Sequence, residues 1–241
     1  MPNFVELWVY LSATPLFGLT ATLVVYVLAQ AAHTRLAHAA WTNPVFWTVL
    51  VIAAVLLATG VPYPSYFAGA QFIHFLLGPA VVALAWPLWQ RRIELRQRWG
   101  RLLLAALAGG TATISSALLL GWAFGLPAEV LLSLAPKSVT APVAMGIAEK
   151  TGGIPALAAV FAVLTGLTGA VAGKYLFDLC RIPLDAAGWA ARGFALGTVS
   201  HGIGAARAMQ VNADAGAYAG LALGLQVVLA SLLLPLLLRW L

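Results

Sequence analysis

Charge is scarce in this chain of 241 residues. Only 8% of the residues are charged and 62% are hydrophobic, with a mean hydropathy of +0.95. A soluble domain carries about 25% charged residues, so a water-soluble fold is excluded. Cysteine is scarcer still. The single Cys180 rules out an intrachain disulfide and a cysteine-rich metal site. No acidic residue stands clearly in the middle of an apolar run, which argues against a carboxylate relay of the proton-antiporter kind. The start, "MPNFVELWVY", lacks a basic segment and carries Glu6, so it reads as the lead into a first span and not as a cleaved signal. The short alternating segments of a transmembrane barrel are missing as well. The net charge of +6 gives no reason to expect nucleic acid, because the basic residues cluster at the ends of apolar runs.

What is present is a series of apolar runs long enough to cross a hydrocarbon core of about 30 Å. The expected fold class is an all-α polytopic membrane protein, one integral membrane domain over residues 1–241. It has seven or eight transmembrane elements, two of them interrupted (broken or re-entrant) helices. The runs cover about Val5–Gln30, Pro44–Val61, Tyr66–Gln90, Leu102–Phe124, Ala128–Ala148, Ile154–Leu176, Ala186–Met209 and Tyr218–Leu238. Pro15 and Gly18 are candidate kinks in the first. The loop "QRRIELRQRWGR", spanning 91–101, holds five arginines and is expected on the cytoplasmic side. Arg35 and Lys150 fall on the same side if the spans alternate. The alternation weakens after the sixth run, because Lys174 and Arg181 fall where the count says outside. One segment is therefore expected to be re-entrant or to fail to span. "RIPLDAAGWAAR" has the pattern of a short interfacial helix with Trp189 at headgroup level. His33 and His38 flank Arg35 in an expected solvated loop and receive no role. His74 reads as a hydrogen-bonded interior residue, and Asp178, Asp185 and Asp214 as interfacial.

Two segments break the apolar pattern. In "APKSVTAP", residues 135–142, Lys137 stands eight residues after Glu129 and twelve before Glu149. On a helix those charges are roughly 12 and 18 Å away, which puts the lysine near the midplane. An ionised group there costs at least about 2.5–3.5 kcal/mol and needs a partner or a wet cavity. Pro136 and Pro142 each remove a backbone donor, and open backbone at that depth is tolerated only inside protein or beside water. A half-helix starting near Ser138–Thr140 would aim its N-terminal dipole into the same opening, and a lysine beside a helix N-terminus makes an anion site. The alternative is a lysine that snorkels, or that pairs with carbonyls of a neighbouring helix.

The second segment is "GTVSHGIGAARAMQ", residues 197–210. Gly197, Gly202 and Gly204 loosen a helix, Ser200 and His201 supply polar groups at the break, and Arg207 follows His201 by six residues. The alternative is a close helix–helix contact of small residues with His201 hydrogen-bonded across it. The candidate substrate-binding set is Lys137, Ser138, Thr140, Ser200, His201, Gly202 and Arg207. No paired acid/base constellation and no metal-ligand cluster is present, so neither an enzyme nor a cofactor is expected.

"LPAEVLLSLAPKSVTAPVAMGIAEKTGGIPA" and "GFALGTVSHGIGAARAMQ" resemble the LrgB/CidB family of bacterial membrane proteins, and "FLLGPAVVALAWPLW" fits the family's earlier Gly-Pro-Ala segment. Two departures remove a hydroxyl and bear on selectivity: Ala141 stands where a second threonine is common, and Ala205 where threonine or serine is common. The resemblance implies one of two roles in the bacterial inner membrane. One is transport of small carboxylates such as pyruvate, glycolate or glycerate. The other is an antiholin-like role with a holin-like partner of the LrgA/CidA type, controlling murein hydrolase export and lysis. The expected partners are thus a small carboxylate, the lipid bilayer and that holin-like protein. A homo-oligomer is compatible with the sequence.

Overall fold

The computed structural model describes residues 15–37, 39–76, 79, 86, 89 and 92–238. Among the described residues every regular element is helical. The helices are α1 (Pro15–Arg35), α2 (Pro44–Thr59), α3 (Tyr63–Phe75), α4 (Arg92–Ala123), α5 (Ala128–Leu134), α6 (Ala141–Thr151), α7 (Pro155–Leu179), α8 (Ala186–Val211) and α9 (Ala213–Leu237), with a 3-10 turn at Ala40–Thr42. The chain clusters into two compact units, 1–83 and 84–241.

In the first unit α1 packs against α2 and α3. Thr22 Oγ1 and Tyr66 OH lie 2.8 Å apart across the α1–α3 contact. Asn43 caps α2 by accepting from the Phe46 N–H at 3.1 Å, Pro44 follows at the first helical position, and Gly60 ends the helix in the left-handed region. His33 corrects the expectation of a solvated loop. It lies inside α1, fully buried, with Nδ1 2.6 Å from Thr42 Oγ1. The returning chain covers it, which no local pattern reveals. His38 lies outside the described residues, as do residues 5–14 of the first expected span and most of the third after Leu76. Nothing is described of the His74 side chain.

In the second unit α4, α7 and α9 are long and apolar enough to cross a membrane, as is α1 in the first unit. α4 is 32 residues long, about 48 Å. The expected Arg-rich loop is in fact its first turns: from Arg92 onward the segment is helical, and apart from Gly100 its residues tolerate a helix and none is a proline. The expected interfacial helix at 181–192 is likewise the entry to α8, which Asp185 caps by accepting from the Gly188 N–H at 2.8 Å.

The fifth and seventh expected spans each fold back instead of running through. α5 and α6, of 7 and 11 residues, are about 10 and 16 Å long. The Ile154 N–H donates to Ser133 Oγ at 2.7 Å, and a Cβ on Gly153 would lie 2.9 Å from Ser133 N. The end of α6 therefore returns beside α5, and α7 starts at the end of the unit where α4 finishes. Lys150 falls at that end too, away from the Arg-rich turns, against expectation.

α8 contains one residue off helical geometry, His201, at φ 40 and ψ −133. Beyond it the chain reverses: a Cβ on Gly204 would lie 2.7 Å from Leu196 O, a contact that eight residues of straight helix, about 12 Å, would forbid. Both halves pack on α9. Gly193 and Gly197 on the outgoing half let the backbone approach Ala215 and Ala219. On the returning half, Ala205 and Ala208 join a buried cluster with Ala215, Ala219 and Leu223.

α9 runs parallel to α4. Leu102 and Ala106 share a buried cluster with Tyr218 and Ala222, and further along Ile114 and Leu118 pack into the cluster that holds Ala230 and Leu234. The unit is thus three long helices and two helical hairpins, α5–α6 and α8, entering from opposite ends.

Candidate functional site

The tip of the first hairpin is residues 135–140. Tight turns close it, with the Lys137 N–H on Leu134 O and the Val139 N–H on Pro136 O. Ala135, Pro136 and Val139 are buried and anchor it. Lys137 is half-buried. Its Nζ donates to Thr113 Oγ1 at 3.0 Å and to Ser138 Oγ at 3.4 Å, and the two hydroxyl oxygens are 3.3 Å apart. Among the described residues it has no carboxylate partner. Thr140 is the N-cap of α6, yet its side chain makes no capping bond, and Pro142 occupies the first turn. The first N–H groups of α6 are therefore left uncapped by that side chain, at the tip.

The tip of the second hairpin is Ser200–Gly202. His201 Nε2 donates to Ala162 O of α7 at 2.8 Å, since a carbonyl can only accept, and its ring covers Gly166. Ser200 is fully buried over Gly169, and its Oγ has no hydrogen-bond partner among the described residues. The two tips approach through Thr140 and Gly202: a Cβ on Gly202 would sit 4.0 Å from Thr140 Cγ2. α6 and the returning half of α8 both begin there.

Of the expected set, the structure gathers Lys137 and Ser138 on α4, and Thr140 against Gly202. It turns the side chains of Ser200 and His201 toward α7. Arg207 is buried on the returning half of α8 and is not among the groups that bond Lys137.

Thr113 was not singled out in the sequence. It is one of several hydroxyl residues in "GGTATISSALLL", and the pattern does not say which of them faces inward. Arg192 was also missed. It is buried, bonds Asp178 Oδ1 at 2.8 Å and Ile182 O, and lies 5.7 Å from the ring centres of Phe177 and Trp189. These contacts fix the turn between α7 and α8.

Residues 22–240 match the model of the LrgB-like family. The uncharacterized protein YwbG of Bacillus subtilis is 34% identical over 224 residues, covering 92% of this chain and 97% of that protein. An uncharacterized protein of Haemophilus influenzae is 33% identical, covering 81% and 84% respectively. The holin-like protein CidB of Staphylococcus aureus is 29% identical over 216 residues, covering 90% and 92%. No solved structure matches the chain. Four apolar helices among the described residues, together with these relatives, identify a multi-pass membrane protein. The chain belongs to the LrgB-like family.

Proposed function

We propose that the protein carries a small carboxylate across the bacterial inner membrane, holding it between the two hairpin tips near the midplane. One observation carries this reading. Lys137 sits at a hairpin tip with two hydroxyls and, among the described residues, no counter-charge, where the N-terminal ends of α6 and of the returning half of α8 come together. A cation, hydroxyl donors and helix N-termini favour an anion, and a charge-assisted bond contributes roughly 1.5–3 kcal/mol. The hairpins are re-entrant in this reading, so Lys137, Ser138, Thr140, Ser200, His201 and Gly202 form the site and its immediate support. The match over residues 22–240 spans both compact units and supports treating the chain as one membrane domain.

This reading carries an orientation with it. With both hairpins returning, Lys174, Arg181 and Arg192 join Arg92–Arg101 at one end of the unit. That end is cytoplasmic by the excess of basic residues, and α5–α6 then enters from outside. The collapse of alternation after the sixth run disappears once two runs do not cross.

A second reading is favoured by the name of the relatives, holin-like protein CidB. In it the chain acts with a holin-like membrane partner and moves nothing alone. The names of these relatives support this role better than transport; the geometry at Lys137 supports transport.

Purified protein in liposomes separates the two. Transport requires saturable uptake of pyruvate, lactate, glycolate or glycerate by the protein alone, abolished in Lys137→Met. An inert protein that becomes active only with a holin-like partner would sink the transport reading.

A further inference from the structure

We propose that Thr113 of α4 is a ligand-binding residue of the site, and that the Lys137–Thr113–Ser138 cluster is built for an acceptor-only group. The proposal rests on the anion-site reading above. Its basis is a count of donors. An ammonium has three N–H donors. Two of those of Lys137 are directed at Thr113 Oγ1 and Ser138 Oγ, so one is left. The two hydroxyls carry one proton each. At 3.3 Å they can use at most one between them, whichever donates. One hydroxyl proton is therefore left, and among the described residues neither side chain has another acceptor.

The lone pairs on these hydroxyls are drawn toward the ammonium. What the cluster offers outward is one N–H and one O–H from neighbouring atoms. A carboxylate has two acceptor oxygens and no donor, and two adjacent donors fit it. A neutral amide or alcohol would bring its own donor against a donor. Thr113 also fixes Lys137 sideways: without it the ammonium keeps only the 3.4 Å contact to Ser138 on its own hairpin.

The test is equilibrium binding of radiolabelled lactate and pyruvate to wild type, Thr113→Val, Thr113→Ala, Thr113→Ser and Lys137→Met in one detergent. Thermal unfolding is followed in parallel, and uptake in liposomes is split into half-saturation and maximal rate. Loss of one bond to a charged acceptor weakens binding by about 10–100-fold in Thr113→Val and Thr113→Ala. Thr113→Ser retains binding, because it keeps the hydroxyl. Half-saturation rises in step with the binding loss, with unfolding temperature near wild type. Should the β-branched variant fail to fold, the alanine variant gives the same reading. Equal binding in wild type and Thr113→Ala overturns the proposal, as does a serine variant as impaired as alanine. If wild type binds neither acid while Lys137→Met is equally inert, the anion site itself falls and this proposal falls with it.

Discussion

Cys180 is the chain's only cysteine and lies exposed in the turn after α7. It reports which face of the membrane that turn occupies. Eight alternating crossings would put it opposite the Arg-rich start of α4. Two returning hairpins put it on the same side. α7 has 25 residues, so it is about 37 Å long. Tilted by roughly 20°, it spans about 35 Å against a core of about 30 Å. Its end therefore emerges on the far side, with Cys180 at headgroup level. The perturbation is a single transplanted thiol: Lys150→Cys in a Cys180→Ser background. A membrane-impermeant maleimide added to intact cells should label the protein with Lys150→Cys and leave wild type unlabelled. Inverted vesicles should show the reverse, and permeabilised membranes should label both. Cys180 modified from outside in intact cells, with Lys150→Cys protected, would refute the hairpin topology and restore a complete crossing between α4 and α7.

Ser133→Ala should destabilise the protein by about 1–3 kcal/mol, because it leaves the Ile154 N–H without its acceptor. Thermal unfolding in detergent checks this, and no change would mean that the hairpin return does not depend on that bond. Gly197→Val should cost roughly 1–3 kcal/mol or more, since any Cβ meets the Ala219 backbone; an unfolding temperature equal to wild type would contradict the close α8–α9 packing. Asp178→Asn leaves the buried Arg192 guanidinium without its counter-charge. It should lower stability only slightly, because Asp178 faces solvent and the pair is screened there. A neutral result in low salt would assign the fixing of that turn to Ile182 O and the aromatic rings alone.

Composition determined the solvent and the fold class, because a chain with so little charge and such long apolar runs has few stable states other than a helical membrane protein. The sequence also marked the two special segments. Proline beside an intramembrane lysine, and three glycines around Ser200–His201, are locally costly choices that stand out without any structure. From the same proline logic it put the start of a half-helix near Ser138–Thr140, and the helix is capped at Thr140.

It did not determine where those segments go. An apolar run that turns back at Ala135–Thr140 or at His201 has the same hydropathy as one that crosses. Direction is decided by contacts remote in the chain: Ser133 with Ile154, Gly204 with Leu196, Gly193 with Ala215. The same holds for partners. Lys137 advertised its need for company, but Thr113 is one hydroxyl among several on α4, and only the register of α4 against the hairpin selects it. His201 was legible as polar, yet its commitment to Ala162 O depends on how α7 packs. Local chemistry is written residue by residue; which surfaces meet is fixed by packing between helices, where identical apolar stripes give no address until the tertiary structure brings them together.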